Sequence, residues 1–287
     1  MEKLISDGRI GEQFVGSVSA EDQIEEYWDD LSGQKLDGEK VKAAREEEMQ
    51  EFRKFGVYDK VPEEECWKIT GKDPIGTRWV DINKGDDENS DYRSRLVAQE
   101  IKRDKREDLF AATPPLEALK ILLALAVMGK EEEKFKIDVI DVRRAYFHAD
   151  AVRPVYVKLP PEDFEQGKCG KLRRAMYGTR DAALNWEKAY MKFLEEAGFI
   201  AGKFSPCVFY HSARKLRAVV HGDDFTVSGP EDQLNWFRSQ IQARFEVKFK
   251  ARLGPDRQDD KIARVLNRVI EWDDKIGIRY EADQRHA

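Results

Sequence analysis

Apolar positions along the chain switch repeatedly between a period near two and a period near 3.6, so strands and helices interleave. Gly38 to Phe55 carries Val41, Ala44, Met49 and Phe52 on one side of a Glu-, Lys-, Arg- and Ala-rich stretch and predicts a helix. Gly56 to Pro62 predicts a short strand that ends at proline. Thr77 to Ile82 and Asp91 to Ile101 predict paired strands around the polar loop Asn83 to Asn89. Pro114-Pro115 opens a helix from Leu116 to Met128. Phe135 to Val142 is a β-branched run that predicts a buried strand, and Ala145-Tyr146-Phe147 turns from it into a short helix. Asp181 to Gly198, with Trp186, Tyr190, Phe193 and Leu194, predicts a helix stopped by Gly198. Leu216 to Val220, broken by Arg217, and Phe225 to Val227 flank His221-Gly222-Asp223-Asp224 as a hairpin. Pro230 to Phe245 predicts a further helix, and Ala263 to Trp272 and Gly277 to Tyr280 predict strands around the turn 273–276. Without regular βαβ alternation the class is α+β, an antiparallel sheet with helices packed on one face. No internal repeat is present.

The chemistry concentrates where two of these strands end in acids. Asp223 and Asp224 sit side by side on a glycine turn, and Asp138 and Asp141 lie near the end of the buried strand. Adjacent like charges repel unless a cation lies between them, which suggests Mg²⁺. Three carboxylates from two adjacent strands are what two-metal phosphoryl transfer requires. The plainer alternatives are solvated turn residues at 223–224 and ion pairs of Asp138 and Asp141 with Arg143 and Arg144.

Asp141-Val142-Arg143-Arg144-Ala145-Tyr146-Phe147 resembles motif A of reverse transcriptases, and His221-Gly222-Asp223-Asp224 resembles motif C, usually Tyr-x-Asp-Asp. Met176 to Trp186 resembles the copia-type motif B, and Tyr92 to Gln99 resembles the copia-type Tyr-Lys-Ala-Arg-Leu-Val-Ala-Lys. Trp79-Val80, Val155 to Pro160 and Phe245 to Lys248 are smaller echoes in the same order. The resemblance spans roughly Val41 to Ala287 and is to the polymerase of a copia-type LTR retrotransposon. It implies a right-hand polymerase with fingers and palm, and RNA-directed DNA synthesis on a primed RNA or DNA template from deoxynucleoside triphosphates. It implies Asp141, Asp223 and Asp224 as catalytic carboxylates, the carbonyl of Val142 in the shell of two Mg²⁺ ions (or Mn²⁺), and Tyr146 against the ribose 2′ position. Arg93, Arg95, Tyr177, Gly178 and Arg180 are the implied nucleotide contacts.

Departures from the family pattern bear on activity. Gly222 loosens the turn of motif C. Asp181 stands where the pattern has Gln and places an acid near a polyphosphate, and Ala183 stands for Pro. Ser94 and Gln99 replace Ala and Lys. No ribonuclease H carboxylate set follows, the thumb is short and no integrase zinc motif precedes, so the chain reads as a polymerase core cut from a polyprotein or as a decaying copy. The alternative function is an inactive remnant that only binds nucleic acid. A nucleotide cyclase would lack Trp186, and an interaction protein would keep Asp141 and Asp223 far apart.

Charge and cysteine content refine the outline. The net charge of -6 is uneven: Met1 to Cys66 holds 19 acids and 9 bases, and the remainder 37 acids and 41 bases. The basic part coincides with the candidate polymerase and suits a phosphate backbone. Residues 1–37 are expected as an acidic flexible or linker segment and 38–287 as the polymerase domain. The longest apolar run, Ile121 to Met128, is far short of the roughly 20 residues of a membrane span. Cys66, Cys169 and Cys207 are too few and too widely spaced for a disulfide framework, which suits a reducing compartment. The resemblance implies an intracellular location, a cytoplasmic particle or the nucleus. Cys207 and His211 lack the second pair of a zinc site. Oligomeric state has no signature in the chain.

Overall fold

A computed structural model describes residues 26–86, 88–101, 109, 111–128, 134–273 and 275–282. Most of the acidic segment, residues 1–25, lies outside them. Its end forms the hairpin β1 (Tyr27–Trp28) and β2 (Lys35–Leu36). The Arg45 guanidinium lies 4.8 Å over the Tyr27 ring and 5.3 Å over that of Trp79, tying the hairpin down.

Helix α1 (Gly38–Phe55) begins where the Asp37 side chain accepts from the N–H groups of Glu39 and Lys40. It ends at Gly56, whose φ of 57° is left-handed. Strand β3 (Tyr58–Pro62) runs into α2 (Glu63–Thr70), a helix that the sequence pattern does not reveal because its Trp67 and Ile69 stay exposed. Strands β4 (Thr77–Asn83) and β5 (Tyr92–Ala98) pair as a two-stranded hairpin. Helix α3 (Leu116–Val127) buries Leu119, Leu122, Leu123 and Ala126, the i, i+3, i+4, i+7 stripe. Strand β6 (Phe135–Val142) leads to a 3-10 turn at Ala145–His148. Strands β7 (Tyr156–Val157) and β8 (Lys168–Leu172) join β3 in a three-stranded sheet. Helix α4 (Ala182–Glu196) is followed by β9 (Ile200–Ala201), β10 (Val208–His211), β11 (Leu216–His221) and β12 (Asp224–Pro230). Helix α5 (Glu231–Arg244) and β13 (Val247–Leu253) follow, then β14 (Ile262–Val265), β15 (Arg268–Asp273) and β16 (Gly277–Ala282).

The central sheet is six-stranded and antiparallel throughout, in the order β13-β6-β12-β11-β10-β9. Its faces are covered differently. Ile140, Val142, Val220, Phe225 and Val227 pack against α4 and α5 through Trp186, Tyr190, Phe193, Leu234, Phe237 and Ile241. Ile137, Val139 and Val219 pack on the other side against α3 and the sheet β14-β15-β16. Helices therefore cover both faces, not one as the sequence suggests. The apolar continuity of β6 has the same cause, since a strand enclosed on both faces loses the alternation of a half-exposed one. The single strand expected over Ala263 to Trp272 is instead a hairpin, because Leu266 (φ 50°) and Asn267 (φ 58°) both take left-handed conformations and reverse the chain.

Two charged residues are embedded in β6, and both are fully partnered. Lys136, 1% exposed, reaches Asp259 and Glu231 at 2.9 Å and Asp256 at 3.0 Å. Asp138, 0% exposed, accepts two hydrogen bonds from Arg238, both at 2.7 Å, and two from Arg252, at 2.7 and 2.8 Å. Its partners are these arginines from α5 and β13, rather than Arg143 or Arg144 or a shared metal. The forks hold α5 and the edge strand β13 onto β6. Asp138→Asn leaves two guanidiniums facing a neutral amide and is expected to cost about 3 kcal/mol. Urea denaturation checks this, and an unchanged midpoint would show that the network adds nothing to the fold.

Candidate active site

Register between β6 and β12 places Asp141 directly opposite Asp224. The β11–β12 hairpin closes with His221 opposite Asp224, so Gly222 and Asp223 form a two-residue loop. Gly222 has φ 63°, the positive angle that the first loop position of a type II′ turn needs. The Val142 N–H donates to the Asp223 carbonyl at 2.9 Å, and the Trp186 Nε1–H donates to the Gly222 carbonyl at 2.8 Å. Trp186, one of the helix aromatics, thus also steadies the turn that carries the paired acids.

The three carboxylates share one electrostatic environment. Burial pushes the Asp223 carboxyl above its usual range, and the charges of Asp224 and Asp141 push it further. The Lys250 ammonium lies 2.8 Å from Asp141 Oδ1 and 2.8 Å from Asp224 Oδ1. Burial alone would lower this ammonium, but the two carboxylates outweigh it and the group is held protonated. Among the described residues no group of three or more Asp, Glu, His or Cys is gathered closely enough to hold a metal ion in this arrangement. The donors are nevertheless all oxygen, and two of the three carboxylates already meet at one cationic atom, so the set fits a hard divalent cation in chemistry.

Basic side chains approach from the β4–β5 hairpin. Arg93 forks onto Asp91, which raises its affinity for its proton, and it also feels Asp141. Lys84 lies beside Arg93 and Arg95. Burial and these two guanidiniums push its ammonium below the usual range despite Asp91 and Asp141. Arg95 sits 5.1 Å over the Tyr177 ring, and the Tyr177 and Tyr146 rings are 4.7 Å apart. Burial lifts the Tyr177 hydroxyl to about 12 and raises that of Tyr146, with Asp223 adding to the latter. The Ala98 N–H donates to the Tyr177 carbonyl at 2.8 Å, seating the loop before α4 on the end of β5. The Arg180 N–H donates to Glu100 Oε2 at 2.8 Å in the same seam.

Several residues gain roles that sequence alone does not signal. Lys250 reads as one of two alternating lysines on β13. Lys84 reads as loop polarity. Arg144 (φ 48°) leaves β6 in a left-handed conformation and is pinned to α1 by Glu48 at 3.1 Å, with Glu47 and Glu51 at 3.7 Å. Asp181, the acid expected to disturb a polyphosphate site, is buried and neutralised by Arg153 at 2.8 Å. Ser94 donates to the buried Asp81 at 2.6 Å, which explains a hydroxyl at that position. Cys207 donates to the Ala112 carbonyl, and His211 packs edge-on against Phe199 and Trp236, an arrangement unlike a zinc site.

The profile of the family described as reverse transcriptase (RNA-dependent DNA polymerase) matches residues 65–255. The chain belongs to the reverse transcriptase family. Its curated relatives are Pol polyproteins of copia-type retrotransposons. The retrovirus-related Pol polyprotein from transposon TNT 1-94 of Nicotiana tabacum is 27% identical over 75% of this chain and 16% of its own length. That from transposon RE1 of Arabidopsis thaliana is 25% identical over 61% of this chain and 12% of its own length. The chain thus spans a sixth or less of these polyproteins. A solved foamy viral protease-reverse transcriptase in complex with double-stranded DNA overlaps 81% of this chain and 34% of its own, with a TM-score of 0.41 and 12% identity.

In this reverse transcriptase domain Gly178 lies against the backbone at the end of β5. With φ 82°, a Cβ there would meet the Ala98 carbonyl oxygen at 1.9 Å. Gly178→Ala is expected to destabilise the domain by at least about 2 kcal/mol, since backbone must move as well as strain. A thermal or urea midpoint equal to that of the parent chain would contradict this.

Proposed function

We propose that this domain is an RNA-directed DNA polymerase that adds deoxynucleotides to a primer 3′-hydroxyl on an RNA or DNA template, by two-metal nucleotidyl transfer. The observation that carries the reading is the convergence of Asp141, Asp223 and Asp224 at one end of β6 and β12, with oxygens of two of them on a single cationic atom.

In this reading Asp141 and Asp223, with the Val142 carbonyl, hold Mg²⁺ or Mn²⁺, and Asp224 completes the negative field. Held by these acids, such ions would supply Lewis-acid activation of the primer hydroxyl and neutralise charge on the phosphates. The protein's own groups position the substrates. Arg93, Arg95 and Lys84 crowd three positive charges on the hairpin facing Asp141, and a triphosphate relieves their mutual repulsion. Arg95 is drawn in over Tyr177, and the Tyr146 ring lies against that ring at a tilt of 51°. The Tyr146 ring then borders the sugar and leaves no room for a 2′-hydroxyl. Gly178 lets the chain pass close to β5, and Arg180 lies just beyond it against the phosphates. The excess of 41 bases over 37 acids after Cys66 suits a primer–template duplex. The fold and substrates belong inside a cell, in a cytoplasmic particle or the nucleus. Fingers and palm correspond to residues 38–287. No helix among the described residues is long and apolar enough to cross a membrane.

Primer extension on an RNA template with dNTPs and Mg²⁺ tests the reading against Asp223→Asn. Incorporation is expected for the parent chain and should fall by roughly a hundredfold or more in the variant. A folded parent chain that binds primer–template and incorporates nothing would identify a remnant that only binds nucleic acid.

A further inference from the structure

Lys250 occupies an unusual place in the central sheet. Strand β13 is an edge strand, and its pairing with β6 slips between Phe249, opposite Ile140, and Ala251, opposite Val139. Residue 250 is the extra one, the signature of a β-bulge, and bulges commonly re-aim a side chain. Its side chain is directed over β6 to reach carboxylates on two strands at once, Asp141 on β6 and Asp224 on β12. Lys248, which pairs with Asp141 in the regular ladder, makes no such bridge.

The bridge has a chemical consequence. Asp141 and Asp224 face each other directly across the strand pair, and side-by-side carboxylates destabilise the fold unless a cation stands between them. The ammonium supplies that charge from within the chain. A divalent cation drawing on the same two carboxylates would lie within a few ångströms of Nζ and be repelled by its charge, so each cation weakens the hold of the other. Lysine suits such a displaceable role, being a compact charge on a flexible stem.

We propose that Lys250 is a positioning residue that acts as a built-in counter-cation. It holds Asp141 and Asp224 together when no divalent cation is bound, and it competes with that cation for them. The proposal rests on the reading that Asp141, Asp223 and Asp224 bind divalent metal. Lys250 thereby sets the metal concentration at which the site loads and keeps the carboxylate end of the sheet intact below that concentration.

Mn²⁺ titration followed by EPR, on the full chain without nucleotide or nucleic acid, tests this with Lys250→Met, Lys250→Arg and Asp141→Asn. Lys250→Met is expected to bind Mn²⁺ roughly three- to tenfold more tightly than the parent chain. Its melting temperature should be lower without metal, and the gap should close at saturating Mn²⁺. Lys250→Arg keeps the charge and should restore the parent's affinity. Equal or weaker Mn²⁺ binding by Lys250→Met, while Asp141→Asn loses a site, would overturn the role of Lys250 alone. Mn²⁺ binding unchanged by Asp141→Asn would overturn the metal-site reading itself and the proposal with it. Tighter binding by Lys250→Arg as well as by Lys250→Met would show that the effect is not one of charge, and would also overturn it.

Discussion

Everything at the candidate site follows from one register. Antiparallel pairing of β6 and β12 sets Asp141 opposite Asp224, and the two-residue loop then delivers Asp223 beside them. The arrangement concentrates like charge at one end of a sheet, which taken alone is unfavourable. The register is held because a slip of one residue would turn Ile140, Val142, Phe225 and Val227 away from the core they share with α4 and α5. Burial of two sheet faces therefore pays for the repulsion, and a cation relieves what remains.

The rest of the architecture braces that strand. Lys136 and Asp138 put opposite charges into the interior of β6, and each is surrounded by partners from α5, β13 and the loop after it. Because a buried charge stripped of its partners is far costlier than a surface one, these networks specify which elements lie beside β6. Arg144 does the same for α1, joining the chain just past the strand to Glu48. Trp186 joins α4 to the carboxylate turn through the Gly222 carbonyl. The site is thus framed from four elements, and the basic hairpin β4–β5 closes it from the side of Asp141.

Much of this was legible in the chain. The bounds of α1 and β6 match the apolar spacing of Gly38 to Phe55 and the β-branched run of Phe135 to Val142, α3, α4 and α5 are recovered within one or two residues, and the β11–β12 hairpin is recovered with its second strand three residues short. The ordered motifs point to the reverse transcriptase family, which the match over residues 65–255 bears out. What the pattern hides is whatever depends on partners distant in sequence. Asp138 looks like a possible ligand until Arg238 and Arg252, a hundred and more positions away, are seen to claim it. Asp181 looks disruptive until Arg153 neutralises it. Helix α2 escapes notice because it shows too little apolar stripe, and α3 escapes its true place because a helix pattern does not say which face of a sheet it covers. Lys250 is invisible because alternation along β13 gives no sign of a bulge.

The most direct test of the account is where a divalent cation sits. Crystals of the chain soaked in Mn²⁺ and measured at the manganese edge would show anomalous density. The account predicts a peak bounded by the carboxylates of Asp141 and Asp223, at the end of β6. A peak elsewhere, with Lys250 left undisturbed between Asp141 and Asp224, would contradict it.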